Sequence, residues 1–130
     1  MIMELMNPNQ VTNDIIKAFY SVYNALGFGF LERVYENALV VELNELGHSV
    51  KQQQNIKVRY KGIIVGEYFA DLVVEDMVIV ELKAVESLVK EHETQLINYL
   101  KATQFELGLL LNFGKKAEIK RKIFTINRKK

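Results

Sequence analysis

Cysteine is absent from this chain of 130 residues. Disulfides, thiol catalysis and cysteine-held zinc are therefore excluded, and the composition fits a cytoplasmic protein. Proline occurs once, at Pro8. It lies in a short leader, residues 1–10, with a single domain expected from 11 to 130. No apolar run approaches the roughly 18 residues that a membrane-spanning helix requires. The opening Met1-Ile2-Met3-Glu4-Leu5-Met6 lacks the basic start and cleavage site of a signal peptide, so no membrane partner is expected. There are no repeats, no Gly-rich phosphate loop, no Gly-x-Ser-x-Gly elbow and no His-x-x-x-His pair. His48 and His92 each stand alone and read as surface or packing residues.

Charge is present in both signs but unevenly placed. Residues 1–114 carry 9 basic and 15 acidic groups, a net of −6, whereas residues 115–130 carry 8 basic groups and only Glu118, a net of +7. Such a basic C-terminal segment, with Lys120, Arg121 and Lys122 at its centre, can hold polyanions through counterion release. The competing reading is a set of charges that keeps an edge strand, Ile119 to Ile126, from aggregating.

The apolar periodicity divides the chain into eight elements. Thr12 or Asn13 can cap a first helix whose apolar stripe runs from Ile15 to Leu26 and which Gly27 ends. A second helix covers about Phe30 to Leu46 and carries Glu32 at its start, on or beside the face of Tyr35 and Leu39. Strands are expected at Lys51 to Tyr60, Ile63 to Val74 and Met77 to Ala84. A third helix, about Leu88 to Thr103, precedes a short buried strand, Glu106 to Phe113, and a last strand, about Lys120 to Ile126. The order ααβββαββ implies an α/β or α+β domain with a mixed central sheet flanked by helices.

Charged residues sit inside two of these strands: Asp71 in the second, and Glu81 and Lys83 in the third. Such residues are depleted in strand interiors, and burying them uncompensated costs several kcal/mol. Side chains alternate along a strand, so Glu81 and Lys83 share a face with Ile79 and Met77, and Asp71 shares one with Phe69 and Val73. A hairpin with Glu75-Asp76-Met77 as a three-residue loop brings Asp71 opposite Glu81 and gathers all three charges. A two-residue loop breaks the cluster, because a one-residue slip flips every side chain. Two carboxylates and an amine suit metal-assisted phosphodiester hydrolysis. Asp71, Glu81 and the Leu82 carbonyl supply oxygen ligands for Mg²⁺ or Mn²⁺, and Lys83 can orient water or offset charge at phosphorus. The alternative for the same residues is an ion-pair network that serves only the fold. On the third helix, Gln95 and Tyr99 share a face four residues apart, either as a core tyrosine with its hydrogen-bond partner or as an accessory site.

Three short patterns carry a family resemblance. Gly29-Phe30-Leu31-Glu32-Arg33-Val34-Tyr35 resembles the pattern that names the GxxExxY protein family. Asp71 followed by Glu81-Leu82-Lys83 resembles the core motif of the PD-(D/E)XK nuclease superfamily, with Ala70 where the name has Pro. Gln95-Leu96-Ile97-Asn98-Tyr99 is similar to the Gln-x-x-x-Tyr motif that follows that core in some members. The resemblance covers about Val11 to Ile126 and implies a restriction-endonuclease-like fold. It implies Asp71 and Glu81 as metal ligands, Lys83 as the catalytic lysine, and Glu32 as a further acidic group near the metal. It also implies Gln95 and Tyr99 as the accessory helix motif, and these two, with Tyr35 of the naming motif, are expected as accessory or nucleic-acid-binding residues. The expected function is a Mg²⁺- or Mn²⁺-dependent nuclease acting on nucleic acid, on DNA more than RNA, with a homodimer expected because so small a domain has little surface to grip a duplex. A non-catalytic nucleic-acid- or protein-binding module on the same fold is the alternative.

Overall fold

In the computed structural model, residues 6–129 are described; residues 1–5, within the expected leader, and Lys130 lie outside the described residues. The first helix, α1, runs Pro8–Leu26 and starts earlier than its apolar stripe suggests. Asn7 caps it by accepting from the Asn9 N–H at 2.8 Å, and Pro8 occupies the first turn, where its missing N–H costs nothing. Thr12 is thus no cap; its hydroxyl donates back to the Pro8 carbonyl at 2.8 Å. Gly27, at φ 68°, ends α1. Helix α2 follows at Glu32–Glu45.

Strands β1 (Val50–Tyr60), β2 (Ile63–Val74) and β3 (Val78–Lys83) form an antiparallel meander. Helix α3 (Lys90–Lys101) then crosses over to β4 (Leu107–Phe113), which lies parallel to β3, and β5 (Ala117–Ile123) closes the sheet antiparallel to β4. The sheet order is β1-β2-β3-β4-β5, so the eight elements and the mixed sheet are as the pattern implied. Every residue of β4 is buried, as its unbroken apolar run requires. The last strand is displaced from its expected place. Phe113 pairs with Ala117 across a tight turn at Gly114-Lys115-Lys116, so β5 must begin at once, and it gives way to a 3₁₀ turn at Ile126–Lys129.

The sheet is covered on both faces. Ile15, Phe19 and Val22 of α1, with Tyr35, Leu39 and Leu43 of α2, pack against Leu72, Val74, Val80, Leu82, Leu109 and Leu111. On the other face Leu96, Tyr99 and Leu100 of α3 pack against Ala70, Val73, Ile79 and Leu110. Beyond Leu72 the β1–β2 hairpin extends past the end of its pairing with β3, as an arm alongside α3. The β3–α3 connection is pinned by buried Asn112, whose amide donates to the Val85 carbonyl at 2.9 Å and accepts from its N–H at 3.0 Å. Both sheet faces thus converge on the C-terminal end of β3, where the charged residues sit.

Candidate active site

The β2–β3 hairpin adopts the three-residue loop. Val74 pairs with Val78, Val73 with Ile79 and Leu72 with Val80, and Glu75 and Asp76 adopt left-handed backbone (φ 56° and 51°) in the turn. The next step of this register sets Asp71 against Glu81, but the ladder stops there. The Asp71 carboxylate takes the place of the missing backbone partner, with Oδ2 accepting from the Leu82 N–H at 2.8 Å.

Asp71 can do this because side-chain alternation slips beside it. Ala70 and Val73 both face α3, although they are three residues apart, while Leu72 faces the other way. Strict alternation would put Ala70 with Leu72. The expectation that Asp71 simply shares a face with Phe69 and Val73 is corrected accordingly: the slip lets its carboxylate reach β3. The partner strand is irregular at the same level. Gln52 pairs with Leu72 and Gln54 with Ala70, but Gln53 and Asp71 between them form no ladder pair, and Gln53 has φ 52°.

Glu81 is 6% exposed, and its Oε1 has no hydrogen-bond partner among the described residues. Burial, then the charge of Asp71 and a hydrogen bond with it, push the Glu81 carboxyl up to about 10, against a weaker pull from Lys83. Glu32 is the first residue of α2 and exposed at its surface. Partial burial of its carboxyl raises its pKa; Asp71 and Glu36 add to this, and Lys83 and His92 oppose it. Glu32, Asp71, Glu81 and half-buried Lys83 therefore share one electrostatic neighbourhood. On α3 the Gln95 amide donates to the Tyr99 hydroxyl at 2.9 Å. Burial, then Glu81 and Asp71, push that phenol up to about 12, so Tyr99 stays neutral beside them.

Other expected residues lie elsewhere. Tyr35 is fully buried: its hydroxyl donates to the Gly27 carbonyl at 2.6 Å and accepts from the Phe30 N–H at 3.2 Å, and its ring stacks on Phe113 at 4.2 Å. It holds the α1–α2 connection, and with it the start of α2, and has no face for nucleic acid. Lys120, Arg121 and Lys122 lie on β5, two strands from β3. Lys122 is paired with Glu93 at 2.6 Å, and Arg121 donates to Asn9 at 2.9 Å.

Two participants lay outside the sequence reading. Glu36, 3% exposed, stands one turn after Glu32 and accepts from the amides of Gln52 and Gln53, each at 2.9 Å. Its spacing of four from Glu32 was the available signal. Gln53 also donates to Asp71 Oδ1 at 3.3 Å, a contact that rests on its backbone conformation and so left no trace in the pattern.

A groove of about 1130 Å³ adjoins this cluster, between α3 and the β1–β2 arm. Lys57, Arg59, Lys90 and Lys101 line it with a single acidic residue, Glu91, and Tyr68 and Tyr99 stand at its base with ring centroids 5.5 Å apart. Among the described residues none of those four cations forms an ion pair. Glu67, opposite Lys57 in the hairpin, accepts from Asn55 instead, and Lys101 lies over the Phe124 ring.

Among the described residues no three His, Asp or Glu side chains are gathered into a ready-made metal cluster. The donor set nevertheless fits a hard cation: two strand carboxylates, one of them with a buried oxygen that has no hydrogen-bond partner among the described residues. Ions of this class are commonly held by one or two carboxylates and completed by substrate phosphate.

No curated protein and no solved structure matches the chain. The three helices and five-stranded mixed sheet fit a restriction-endonuclease-like fold. The family model of the PD-(D/E)XK nuclease superfamily matches residues 9–122, and with the strand-borne Asp71, Glu81 and Lys83 inside that span, the chain belongs to this superfamily.

Proposed function

We propose that the protein is a metal-dependent nuclease that hydrolyses phosphodiester bonds in nucleic acid, DNA in preference to RNA, and that within the superfamily it belongs with the GxxExxY proteins. The observation that carries the reading is buried Glu81 beside Asp71, with a carboxylate oxygen that has no hydrogen-bond partner among the described residues. A buried carboxylate kept next to another is costly to the fold and useful to a cation. Asp71, Glu81 and the Leu82 carbonyl would hold Mg²⁺ or Mn²⁺, with Glu32 contributing from α2. When bound, such an ion offsets phosphate charge and acidifies a coordinated water. Lys83 orients the attacking water and steadies charge at phosphorus. Gln95 keeps the Tyr99 hydroxyl engaged at the floor of the site.

Nucleic acid as the partner is supported by the groove beside the site, whose four cations form no ion pair among the described residues. Those residues, rather than Lys120 to Lys122, are the phosphate-binding surface in this reading. A homodimer would have the exposed apolar tip of the arm, Tyr60, Ile63 and Val65, as its handle; a monomer by light scattering at high concentration removes it.

The test is cleavage of labelled single- and double-stranded DNA and RNA with Mg²⁺ or Mn²⁺. Wild type cuts at least one substrate, and Glu81→Gln and Lys83→Ala lose cutting while keeping their fold. Cleavage that survives Glu81→Gln overturns the assignment. The basic groove beside the site also suits a second reading, a non-catalytic binding module on the same fold. It predicts metal-independent, salt-sensitive binding and no cleavage by wild type.

A further inference from the structure

Strand β1 shifts register between Val58 and Arg59, near the tip of the arm, and departs from regular geometry again at Gln53, beside the site. Gln53 has φ 52°, a left-handed conformation that side-chain-bearing residues rarely adopt in a strand, and it makes no ladder pair opposite Asp71. Consecutive strand residues normally point to opposite faces. Here Gln52 and Gln53 both reach Glu36, at Oε2 and Oε1 respectively, each at 2.9 Å. The same Gln53 Nε2 lies 3.3 Å from Asp71 Oδ1. Its amide thus spans two carboxylates from different elements, one on α2 and one on β2.

We propose that Gln53 is the positioning residue of the metal site, orienting Asp71 for a divalent cation and tethering Glu36 behind it as an outer carboxylate. The inference rests on the metal-dependent reading above. The chemistry of the side chain supports it. A primary amide has two N–H donors, enough for one bond to each carboxylate. It carries no charge, so it draws the two acids together without neutralising the field a cation needs. A lysine at this place would occupy the site electrostatically, and a glutamate would repel both neighbours. With Leu82 N–H on Oδ2 and Gln53 on Oδ1, Asp71 is held at both oxygens before any ion arrives. An irregular backbone that serves only to aim a side chain at a ligand group is a recurrent feature of functional sites.

The test separates aiming from folding. Gln53→Gly removes the amide but suits the left-handed backbone, which offsets part of the cost of the lost bonds, so the variant folds and its melting temperature in EDTA falls by a few degrees at most. In a calorimetric Mn²⁺ titration of the same variant, affinity falls by about 10- to 100-fold, the usual effect of removing a group that orients a ligand. Gln53→Asn tolerates the same φ but falls one methylene short of the span, and it loses affinity in the same way. Gln52→Ala, whose parent side chain reaches Glu36 and Asn37 but not Asp71, leaves Mn²⁺ affinity at the wild-type value. Equal Mn²⁺ affinity in wild type and Gln53→Gly overturns the inference, and so does an equal loss in Gln52→Ala, which points to a general role at the sheet end. A wild type that binds no Mn²⁺ overturns the metal-site reading itself, a result distinct from either.

Discussion

In metal-free buffer, Glu81→Gln should stabilise this protein at neutral pH. The Glu81 carboxyl is held up to about 10 in the fold, by burial and then by Asp71, against 4.5 for a free side chain. Between those two values the folded chain keeps a proton that the unfolded chain has released. A raised folded pKa contributes stability that is fully present below 4.5 and is lost as pH climbs toward 10, so wild-type stability falls with pH across this window. The slope for one group is about 1.4 kcal/mol per pH unit, which gives a loss of about 3 kcal/mol by pH 7. Glutamine keeps the volume and a donor toward Asp71 and removes the titration. Urea unfolding in EDTA from pH 5 to 9 reads this directly: the gap between Glu81→Gln and wild type is small at pH 5, about 3 kcal/mol at pH 7, and larger at pH 8. Parallel stability profiles for the two proteins would falsify the argument, because they would mean that Glu81 is ionised in the fold without cost.

Other sites give independent checks. Charge reversal at Lys57 and Arg59 should weaken binding of a labelled single-stranded oligonucleotide by about tenfold or more in EDTA and flatten its salt dependence, while Lys120→Glu with Arg121→Glu changes little; the opposite ranking by fluorescence anisotropy returns the phosphate surface to β5. Buried His48 lies between Glu75 (Nδ1, 3.0 Å) and Asp14 (Nε2, 2.7 Å); burial lowers its pKa, but these bonds and charges outweigh it and the net shift is upward. Its stabilisation is therefore full below 6.5 and is lost as pH rises through the folded value, so His48→Ala should cost about 2 kcal/mol or more at pH 6 and less at pH 9; a cost that grows with pH contradicts the assignment. Tyr35→Phe should cost about 1–2 kcal/mol, from the lost bonds to Gly27 and Phe30, and leave oligonucleotide affinity intact; weakened binding in a fully folded variant would restore Tyr35 to the interface.

The sequence revealed most where a local rule applied. Alternating Val and Ile with charges inside them marked β2 and β3, and the chemistry demanded of Asp71 and Glu81 selected the three-residue loop that the hairpin adopts. Gln95 and Tyr99 met because helical spacing alone puts them together. Errors arose where a stronger local signal competed. The Asn7-Pro8 start overrode Thr12 and Asn13 as caps, and the turn at Gly114 moved β5 forward. Tertiary arrangement stayed hidden. Gln53 reaches Asp71 through one left-handed residue, and the basic groove draws cations from β1 and α3, more than thirty residues apart. Neither has a periodicity to read. The basic tail, conspicuous in composition, proved to be partly spent on Glu93 and Asn9.

The central claim is that Asp71 and Glu81 form a divalent-cation site. The most direct measurement is a calorimetric Mn²⁺ titration of wild type beside Asp71→Ala near pH 7, repeated in two buffers of different ionisation enthalpy. The account predicts binding in wild type with net release of a proton, because the cation displaces the one Glu81 holds, and loss of binding in Asp71→Ala. Undiminished binding in Asp71→Ala, or no binding by wild type at millimolar Mn²⁺, would contradict it.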